Sequence, residues 1–206
     1  MNQKIIKNTL ILTAITLISG LLLGFVYEIT KEPIAASREN RKQEAYHTVF
    51  QEAETFQTFK AFEEKEAEEI LRNAGVSGCY VNEAALALDS GENAIGSVVT
   101  ATSKEGYGGE IKVSVGITLD GTVTGIELLS ISETAGLGMN AQEPEFKEQF
   151  QDVNTDHFEV VKGDGGKEGK IDALSGATIT TDAVTNAVNA AVAYYHGAME
   201  GGSVNE

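Results

Sequence analysis

The sequence predicts an α+β protein that begins with a single transmembrane helix. Three observations carry this prediction: an uncharged apolar run near the start, a following segment without proline or glycine, and apolar residues that alternate with polar ones in the second half. Alternation with a period of two is typical of half-buried strands, whereas apolar residues at steps of three and four are typical of helices. We therefore expect an anchor, a helical stalk, and an antiparallel sheet with a C-terminal helix packed on it.

The apolar run predicts a transmembrane anchor at residues 9–27. No charged side chain occurs in it, and roughly 20 such residues span a bilayer as a helix. Lys4 and Lys7 precede the run, whereas charges of both signs follow it. The positive-inside rule therefore predicts a single-pass protein of the inner or plasma membrane, with residues 1–8 in the cytoplasm and the main domain outside. A cleaved signal peptide is the alternative, but its apolar core usually has only about 7–15 residues.

Residues 28–75 are predicted to form a juxtamembrane helical stalk. Residues 37–73 contain no proline or glycine and are rich in Glu, Lys, Gln and Ala, which are good helix formers. The acidic run at 63–69 is interpreted as a solvated helix surface rather than a cation site. One helix face is expected to pack on the domain or on a partner subunit, because apolar residues recur along it at helical spacing. These residues are Ala45, Val49, Ala53 and Phe56.

Residues 76–199 are predicted to form the globular domain around an antiparallel sheet. Residues 81–88 and 94–102 have the composition of strands, and apolar residues alternate along 111–119. The Asp120-Gly121 pair then predicts a hairpin turn that leads into the next strand.

Two helices are expected in the second half of this domain. Pro144 opens a short one at 144–150. The final helix has apolar residues at three- and four-residue steps from Val184 to Tyr195, and we expect it to lie across the sheet and to end near Gly197. Residues 200–206, rich in Gly and Ser, are expected to form a disordered tail.

Charge and composition argue against several functions. The formal net charge of −16 disfavours nucleic acid or an anionic lipid surface as a partner, because both would repel the chain. Cys79 is the only cysteine, and the three histidines show no metal-ligand spacing, so we predict no metal site. Cys79 itself is interpreted as a small buried apolar residue rather than a redox thiol. A Gly-x-Ser-x-Gly elbow is absent from the sequence, which leaves hydrolase chemistry little support.

The most informative motif is Asp-Ala-Leu-Ser-Gly-Ala-Thr at residues 172–178. Its small residues leave room for a bulky group, and Gly176 can adopt backbone dihedrals closed to other residues. Thr178 would then be presented on a tight turn before a helix whose free N–H groups and dipole suit a phosphate. The alternative interpretation is an ordinary strand-to-helix turn in which Thr180 or Thr181 caps the helix.

The form Asp-x-x-Ser-Gly-Ala-Thr resembles the flavinylation motif of FMN-binding domains in bacterial ion-pumping redox complexes. In that family a threonine hydroxyl is esterified to the phosphate of FMN, so the resemblance implies covalent FMN on Thr178. It also implies that Asp172 is the acidic residue that a flavin transferase recognises. The remaining residues that the motif places at the cofactor are Ser175, Gly176 and Ala177.

Three further segments resemble the same domains and occur in the family's order. Residues 132–138 resemble the Glu-Thr-Pro-Gly-Leu-Gly signature, with Ala135 where proline is usual, which predicts a less rigid loop. Residues 106–111 open a strand, and residues 158–163 precede the acceptor motif. By resemblance, the residues that line the ring or phosphate pocket are Tyr107, Gly108, Glu133, Thr134, Leu137, Gly138 and Lys162.

The resemblance covers roughly residues 1–200 and is closest to the G subunits of Rnf complexes, the ion-translocating ferredoxin:NAD oxidoreductases of bacterial membranes. It implies an electron-carrier subunit that is not catalytic alone. Its expected partners are the membrane subunits of the complex, including a second flavinylated subunit, and a flavin transferase for maturation.

Three other functions are alternatives. The C subunits of sodium-translocating NADH:quinone oxidoreductases share the anchor, the domain and the motif. A membrane-anchored binding module without redox function would use the same glycine loops to hold a ligand. A free-standing flavin reductase is disfavoured, because no Gly-x-Gly-x-x-Gly fingerprint opens a helix after a strand.

Overall fold

The structure is a computed structural model that describes residues 3–163, 165 and 168–200. It divides into two compact units, Met1–Lys42 and Gln43–Glu206. The predicted disordered tail lies outside the described residues, apart from Glu200.

The first unit consists of the long helix α1, Gln3–Val49, up to Lys42. The helix is long and apolar enough to cross a membrane. Large apolar side chains lie exposed along it, among them Leu23 at 72% and Phe25 at 66%. The hydroxyl of Thr30 donates to the Val26 carbonyl at 2.8 Å, so this polar group is satisfied within the helix. These features suit a helix surrounded by lipid, where backbone and hydroxyl groups must find internal partners.

The second unit is built on a six-stranded antiparallel sheet with its strands in chain order, which confirms the predicted sheet. Gly121, with φ of 84°, forms the predicted hairpin turn between the fourth and fifth strands. The strands are β1 Thr55–Thr58, β2 Cys79–Leu88, β3 Ala94–Ser103, β4 Ile111–Thr118, β5 Thr122–Ser130 and β6 Val153–Asn154.

The elements after β5 carry the residues of interest. A parallel pair of short strands forms a second sheet, and the predicted helices at 144–150 and at the C-terminal end are present. In chain order these elements are a 3₁₀ helix Gly138–Gln142, α3 Pro144–Lys147, a 3₁₀ helix Glu148–Phe150, β7 Glu159–Val161, β8 Lys170–Asp172, α4 Thr178–Tyr194 and a π-helical turn Tyr195–Met199.

The predicted uninterrupted helix over residues 37–73 is wrong at residues 50–63. Helix α1 ends at Val49, β1 pairs with the edge of β2, and helix resumes only in α2, Glu64–Asn73. Tertiary packing overrides the local helix preference here, because Phe50 is buried on the sheet and Gly96 leaves the space for its ring. The compact unit begins at Gln43, so residues 43–75 belong to the globular unit and not to a separate stalk.

Both faces of the six-stranded sheet are covered. On one face Phe50 and its neighbours form a small cluster with Val98 of β3. On the other face α4 packs against β2, β3 and β4, as predicted. Val98 and Val99 illustrate the arrangement, since successive strand residues point to opposite faces. The fully buried residues shared by α4 and this second face include Val99, Val113, Val115, Ala183, Val184, Ala187, Val188 and Ala191.

Asn189 links α4 to the small second sheet. Its side-chain amide donates to the Phe158 carbonyl at 2.9 Å, and its carbonyl oxygen accepts the Phe158 N–H at 2.7 Å. Both groups are buried, so leaving either one unpaired would cost about 1–3 kcal/mol. The pair therefore holds the start of β7, and with it β8, at a fixed place on α4.

Tyr194 gives a test of this packing. Its hydroxyl is buried without a hydrogen-bond partner in the described part of the chain, and its ring meets Phe62 edge-on at 5.6 Å. We predict that Tyr194→Phe leaves the free energy of unfolding unchanged or raises it by up to about 1 kcal/mol at pH 7. The matched control is Tyr195→Phe, which removes a 2.9 Å hydrogen bond to the Leu119 carbonyl and should cost about 1 kcal/mol. Urea unfolding in detergent measures both; a clear loss of stability in Tyr194→Phe would contradict the prediction.

The same residue predicts a pH dependence. Burial, with a smaller effect of Glu66, raises the pKa of Tyr194 from 10 to about 12. The unfolded chain therefore begins to lose this proton near pH 10 while the folded chain keeps it, so the stabilising contribution is present below pH 10 and is lost as the pH rises toward 12. Stability measured across this range should fall less steeply in Tyr194→Phe than in the unmodified protein.

Candidate functional site

Three of the predicted segments meet at the amino end of α4. The Gly108 N–H donates to Glu133 Oε1 at 3.0 Å, which joins segment 106–111 to segment 132–138. A Cβ placed on Gly176 would lie 3.2 Å from Leu137 Cδ2, so segment 172–178 contacts the same loop. The site thus unites residues that are up to about 70 positions apart in the sequence.

Thr178 is the first residue of α4, and its side chain is exposed. Its hydroxyl makes no hydrogen bond with any described residue. The residue before it, Ala177, contributes no side-chain cap, and the first turn has no acidic residue. The N–H groups of this turn and the positive end of the helix dipole are therefore available to an anion.

The turn before Thr178 is held by Thr181. Its Oγ1 accepts the Leu174 N–H at 3.0 Å and donates to the Ala177 carbonyl at 3.0 Å, while the Ala177 N–H donates to the Leu174 carbonyl at 3.0 Å. Gly176 has φ of 73°, a conformation that favours glycine. The alternative interpretation, in which Thr180 or Thr181 caps the helix, is wrong because Ala177 is the cap residue. Thr181 instead keeps the turn closed.

Large apolar side chains are exposed in each of the segments that meet at the start of α4. Ile179 follows Thr178 directly and is 53% exposed, Leu137 is 42% exposed, and Tyr107 is 73% exposed. Exposed large apolar groups are typical of binding surfaces. A ligand with an anionic group and a flat apolar ring fits this combination of surface and helix terminus.

Glu133 lies between these segments with both carboxylate oxygens engaged. Oε1 accepts the Gly108 N–H, and Oε2 accepts the Thr180 hydroxyl at 3.0 Å. Glycines surround this side chain: a Cβ on Gly106 would lie 2.9 Å from Oε1, and a Cβ on Gly138 would lie 2.7 Å from Glu133 Cβ. Glu133, predicted as a pocket residue, therefore also connects two loops to α4.

The acidic residue of the motif, Asp172, ends β8. Its N–H donates to Gln149 Oε1 at 2.6 Å, and Gly165 packs so closely that a Cβ there would lie 2.7 Å from Asp172 Cγ. Asp172 Oδ1 is buried without a hydrogen-bond partner among the described residues. Such an oxygen is costly unless another group satisfies it.

The remaining predicted residues lie around this centre. Ser175 is exposed and Gly138 is buried, whereas Thr134 is exposed and its carbonyl accepts the Leu137 and Met139 N–H groups at 3.1 and 3.2 Å. Lys162 follows β7, whose last residue pairs in register with Asp172. The Lys162 side chain is exposed and makes no ion pair with the residues described.

The sequence interpretation missed Gln149 and gave Thr180 and Thr181 the wrong role. Gln149 lies on a short helix 23 residues before its partner, and no local pattern marks such a contact. The two threonine hydroxyls were visible as polar groups in a first helical turn, which is a signal for backbone bonding.

Cys79 lies outside this centre and is half-buried. Burial raises the pKa of its thiol, a hydrogen bond with Ser103 lowers it, and the charge of Glu105 raises it. Because its pKa is raised, the sulfur stays a protonated thiol, which is less reactive than a thiolate. Within residues 3–163, 165 and 168–200, no group of three or more His, Cys, Asp or Glu side chains is arranged to hold a metal ion.

Comparison with known proteins places the site within a recognised family domain. Residues 106–193, which contain every predicted site residue, match the family described as FMN-binding domain, and residues 1–49 match the RnfG N-terminal region. The G subunit of the proton-translocating ferredoxin:NAD(+) oxidoreductase complex of Clostridium ljungdahlii is 36% identical over 182 residues, which cover 88% of this chain and 86% of that protein.

Two further proteins are similar to this chain. The G subunit of the Na(+)-translocating ferredoxin:NAD(+) oxidoreductase complex of Acetobacterium woodii is 31% identical over 197 residues, covering 94% of this chain and 92% of that protein. Among solved structures, the C subunit of the Na(+)-translocating NADH-quinone reductase of Parabacteroides distasonis has a TM-score of 0.50 at 17% identity, covering 78% of this chain and 90% of that one. At this identity the likeness concerns the fold alone.

The packing around Glu133 predicts an effect of a single methyl group. In Gly138→Ala the new Cβ would lie 2.5 Å from Thr180 Oγ1 and 2.7 Å from Glu133 Cβ, so we expect a loss of about 1–3 kcal/mol in the free energy of unfolding. Gly125→Ala on β5 is the matched control, because its Cβ would lie 3.9 Å from Val49 Cα, an ordinary contact. If urea unfolding gives the two variants equal stability, the prediction is wrong and the loop has room for a methyl group at position 138.

Proposed function

The chain belongs to the G subunits of Rnf complexes, the ion-translocating ferredoxin:NAD oxidoreductases, and we propose that its FMN is attached covalently to Thr178. As a member it is an electron-transfer subunit with an FMN-binding domain and a single membrane-spanning helix. The observation that carries the proposed attachment is the Thr178 hydroxyl itself, which is exposed, without a partner among the described residues, and placed at an uncapped helix terminus.

The proposed bond is a phosphoester between Thr178 Oγ1 and the phosphate of FMN. The attached group has the mass of one FMN less one water. A flavin transferase is the proposed catalyst; it would transfer the FMN phosphoryl group to Oγ1 from an activated donor such as a flavin dinucleotide, whose nucleotide monophosphate leaves while the hydroxyl proton passes to solvent. The helix N–H groups and dipole of α4 would stabilise the phosphate charge. Bound FMN supplies a ring that accepts and releases one or two electrons.

The exposed apolar side chains are proposed to hold the ring. Ile179 follows Thr178, Leu137 contacts the acceptor turn at Gly176, and Tyr107 precedes Gly108 of the bonded loop; these exposed side chains would cover apolar ring surface. Lys162 is proposed to face the ring or the phosphate, where its charge would stabilise a negative ligand. Asp172 is proposed as the residue that the flavin transferase recognises; because one of its oxygens is buried, recognition would depend on its second oxygen or on the turn that follows.

The proposed setting is a membrane complex with the domain outside the cytoplasm. The relatives are named as subunits of oxidoreductase complexes, so other Rnf subunits are expected as partners. We propose that these include a second flavinylated subunit in the membrane. Lys4 and Lys7 before the anchor favour a cytoplasmic amino terminus.

The first test of the attachment compares three variants. The full chain, coexpressed with a flavin transferase, should gain the mass of one FMN less one water and fluoresce in a denaturing gel. Thr178→Ala should lose both signals completely, and Thr178→Ser should retain attachment because it keeps a hydroxyl at the same place. Thr58→Ala is the matched control, because Thr58 is also an exposed threonine but lies on β1, outside the acceptor motif. Retained fluorescence in Thr178→Ala would contradict the proposal.

The proposed role of Lys162 predicts a shift in flavin reduction potential. Removing an exposed positive charge near the ring should make reduction less favourable, so Lys162→Ala should lower the potential by roughly 10–30 mV for a two-electron couple. Lys162→Arg should retain the potential of the unmodified protein. Lys170→Ala removes another exposed lysine, at the start of β8, as a control. If the reduction potential of Lys162→Ala equals that of the unmodified protein, Lys162 does not lie near the flavin.

A further inference from the structure

We infer that Glu133 is a positioning residue for attachment at Thr178, acting through the two loops it joins and not through contact with the flavin. The inference rests on the proposed attachment at Thr178. We name the pair of hydrogen bonds from Gly108 N–H and Thr180 Oγ1 to the Glu133 carboxylate the Glu133 bridge. The bridge spans the loop that carries Tyr107 and the helical turn that begins with Thr178.

The bridge connects parts of the chain that are distant in sequence. Its two partners lie 25 residues before and 47 residues after Glu133. A hydrogen bond to a charged carboxylate is roughly twice as strong as one between neutral groups. One side chain therefore connects the backbone next to Tyr107 with the helical turn that begins at Thr178.

The glycines of the site allow the backbone to lie close to Glu133 and to the groups around it. Cβ atoms on Gly106 and Gly138 would lie 2.9 Å from Glu133 Oε1 and Oε2, respectively. A Cβ on Gly108 would overlap the Ser132 carbonyl oxygen and approach Glu133 Cα to 3.3 Å. These glycines therefore permit the approach of backbone to Glu133, a role separate from contact with a ligand.

The three threonines in the first turn of α4 have three different roles. Thr181 closes the turn from within by bonding to backbone groups of Leu174 and Ala177. Thr180 is buried and bonds outward to Glu133. Thr178 alone keeps its hydroxyl exposed and without a partner among the described residues. The hydrogen bonds of its neighbours thus hold the turn while leaving this hydroxyl available for reaction.

The test uses the full chain in membranes with a coexpressed flavin transferase. The rate of FMN attachment after induction is followed by in-gel fluorescence and intact mass. Glu133→Ala should slow attachment about 10- to 100-fold, because small misplacements of a reacting group have effects of this size. Glu133→Gln should recover most of the rate, since its amide can accept from Gly108 N–H and donate to Thr180 Oγ1. Glu110→Ala is the matched control: it removes a carboxylate from the loop that carries Tyr107, and this carboxylate accepts from the Tyr80 hydroxyl and not from the Gly108 N–H.

A second measurement does not depend on flavin. Amide hydrogen exchange on the purified chain without transferase should show faster exchange at residues 104–110 in Glu133→Ala, because the Gly108 N–H loses its acceptor, and near-normal exchange in Glu133→Gln. If Glu133→Ala does not fold, Thr180→Val removes one half of the bridge at nearly constant volume and should slow attachment in the same direction.

The outcomes separate the inference from the proposed function. Attachment and exchange in Glu133→Ala and Thr180→Val that equal those of the unmodified protein would overturn the positioning role. A chain that gains no FMN even unmodified would overturn the proposed function, while the exchange data would still report on the Glu133 bridge.

Discussion

The packing of α4 against the sheet determines where every part of the site lies. Alanine and valine residues of α4 are fully buried against β3 and β4, so the helix can neither rotate nor slide without opening the core. Its first residue, Thr178, therefore has a fixed place relative to the strands. The loop before β4 and the loop after β5 meet at the start of α4, and the Glu133 bridge connects both loops to the first turn of this helix.

In the first turn of α4, threonines that are buried and hydrogen-bonded lie next to one threonine whose hydroxyl is exposed. Thr180 and Thr181 are buried and bonded, whereas Thr178 is exposed at the helix terminus. On the proposed account this serves a tethered electron carrier, because the cofactor must be held firmly yet remain within reach of other carriers. A covalent bond would remove the need for a deep pocket, which agrees with the exposure of the Tyr107, Leu137 and Ile179 side chains.

Local patterns predicted most of the fold and the centre of the site, and contacts distant in sequence account for the rest. Alternating apolar residues predicted β4, and apolar residues at helical spacing predicted α4; both elements are buried more completely than these patterns require. The break after Val49 was missed because residues 37–73 favour a helix locally, whereas Phe50 packs on the sheet face opposite α4. The motif located Thr178, but the contacts of Gln149 and Glu133 join positions 23 to 47 residues apart, and no short pattern records them.

The central claim is the bond between FMN and Thr178, and peptide mass spectrometry tests it most directly. No lysine or arginine follows Lys170, so trypsin releases one peptide that begins at Ile171 and contains the whole acceptor motif. Fragmentation of this peptide from the flavinylated full chain should place the mass of FMN less one water on Thr178. The same mass on Ser175 or Thr180, or a fluorescent chain whose FMN lies on another peptide, would contradict the account.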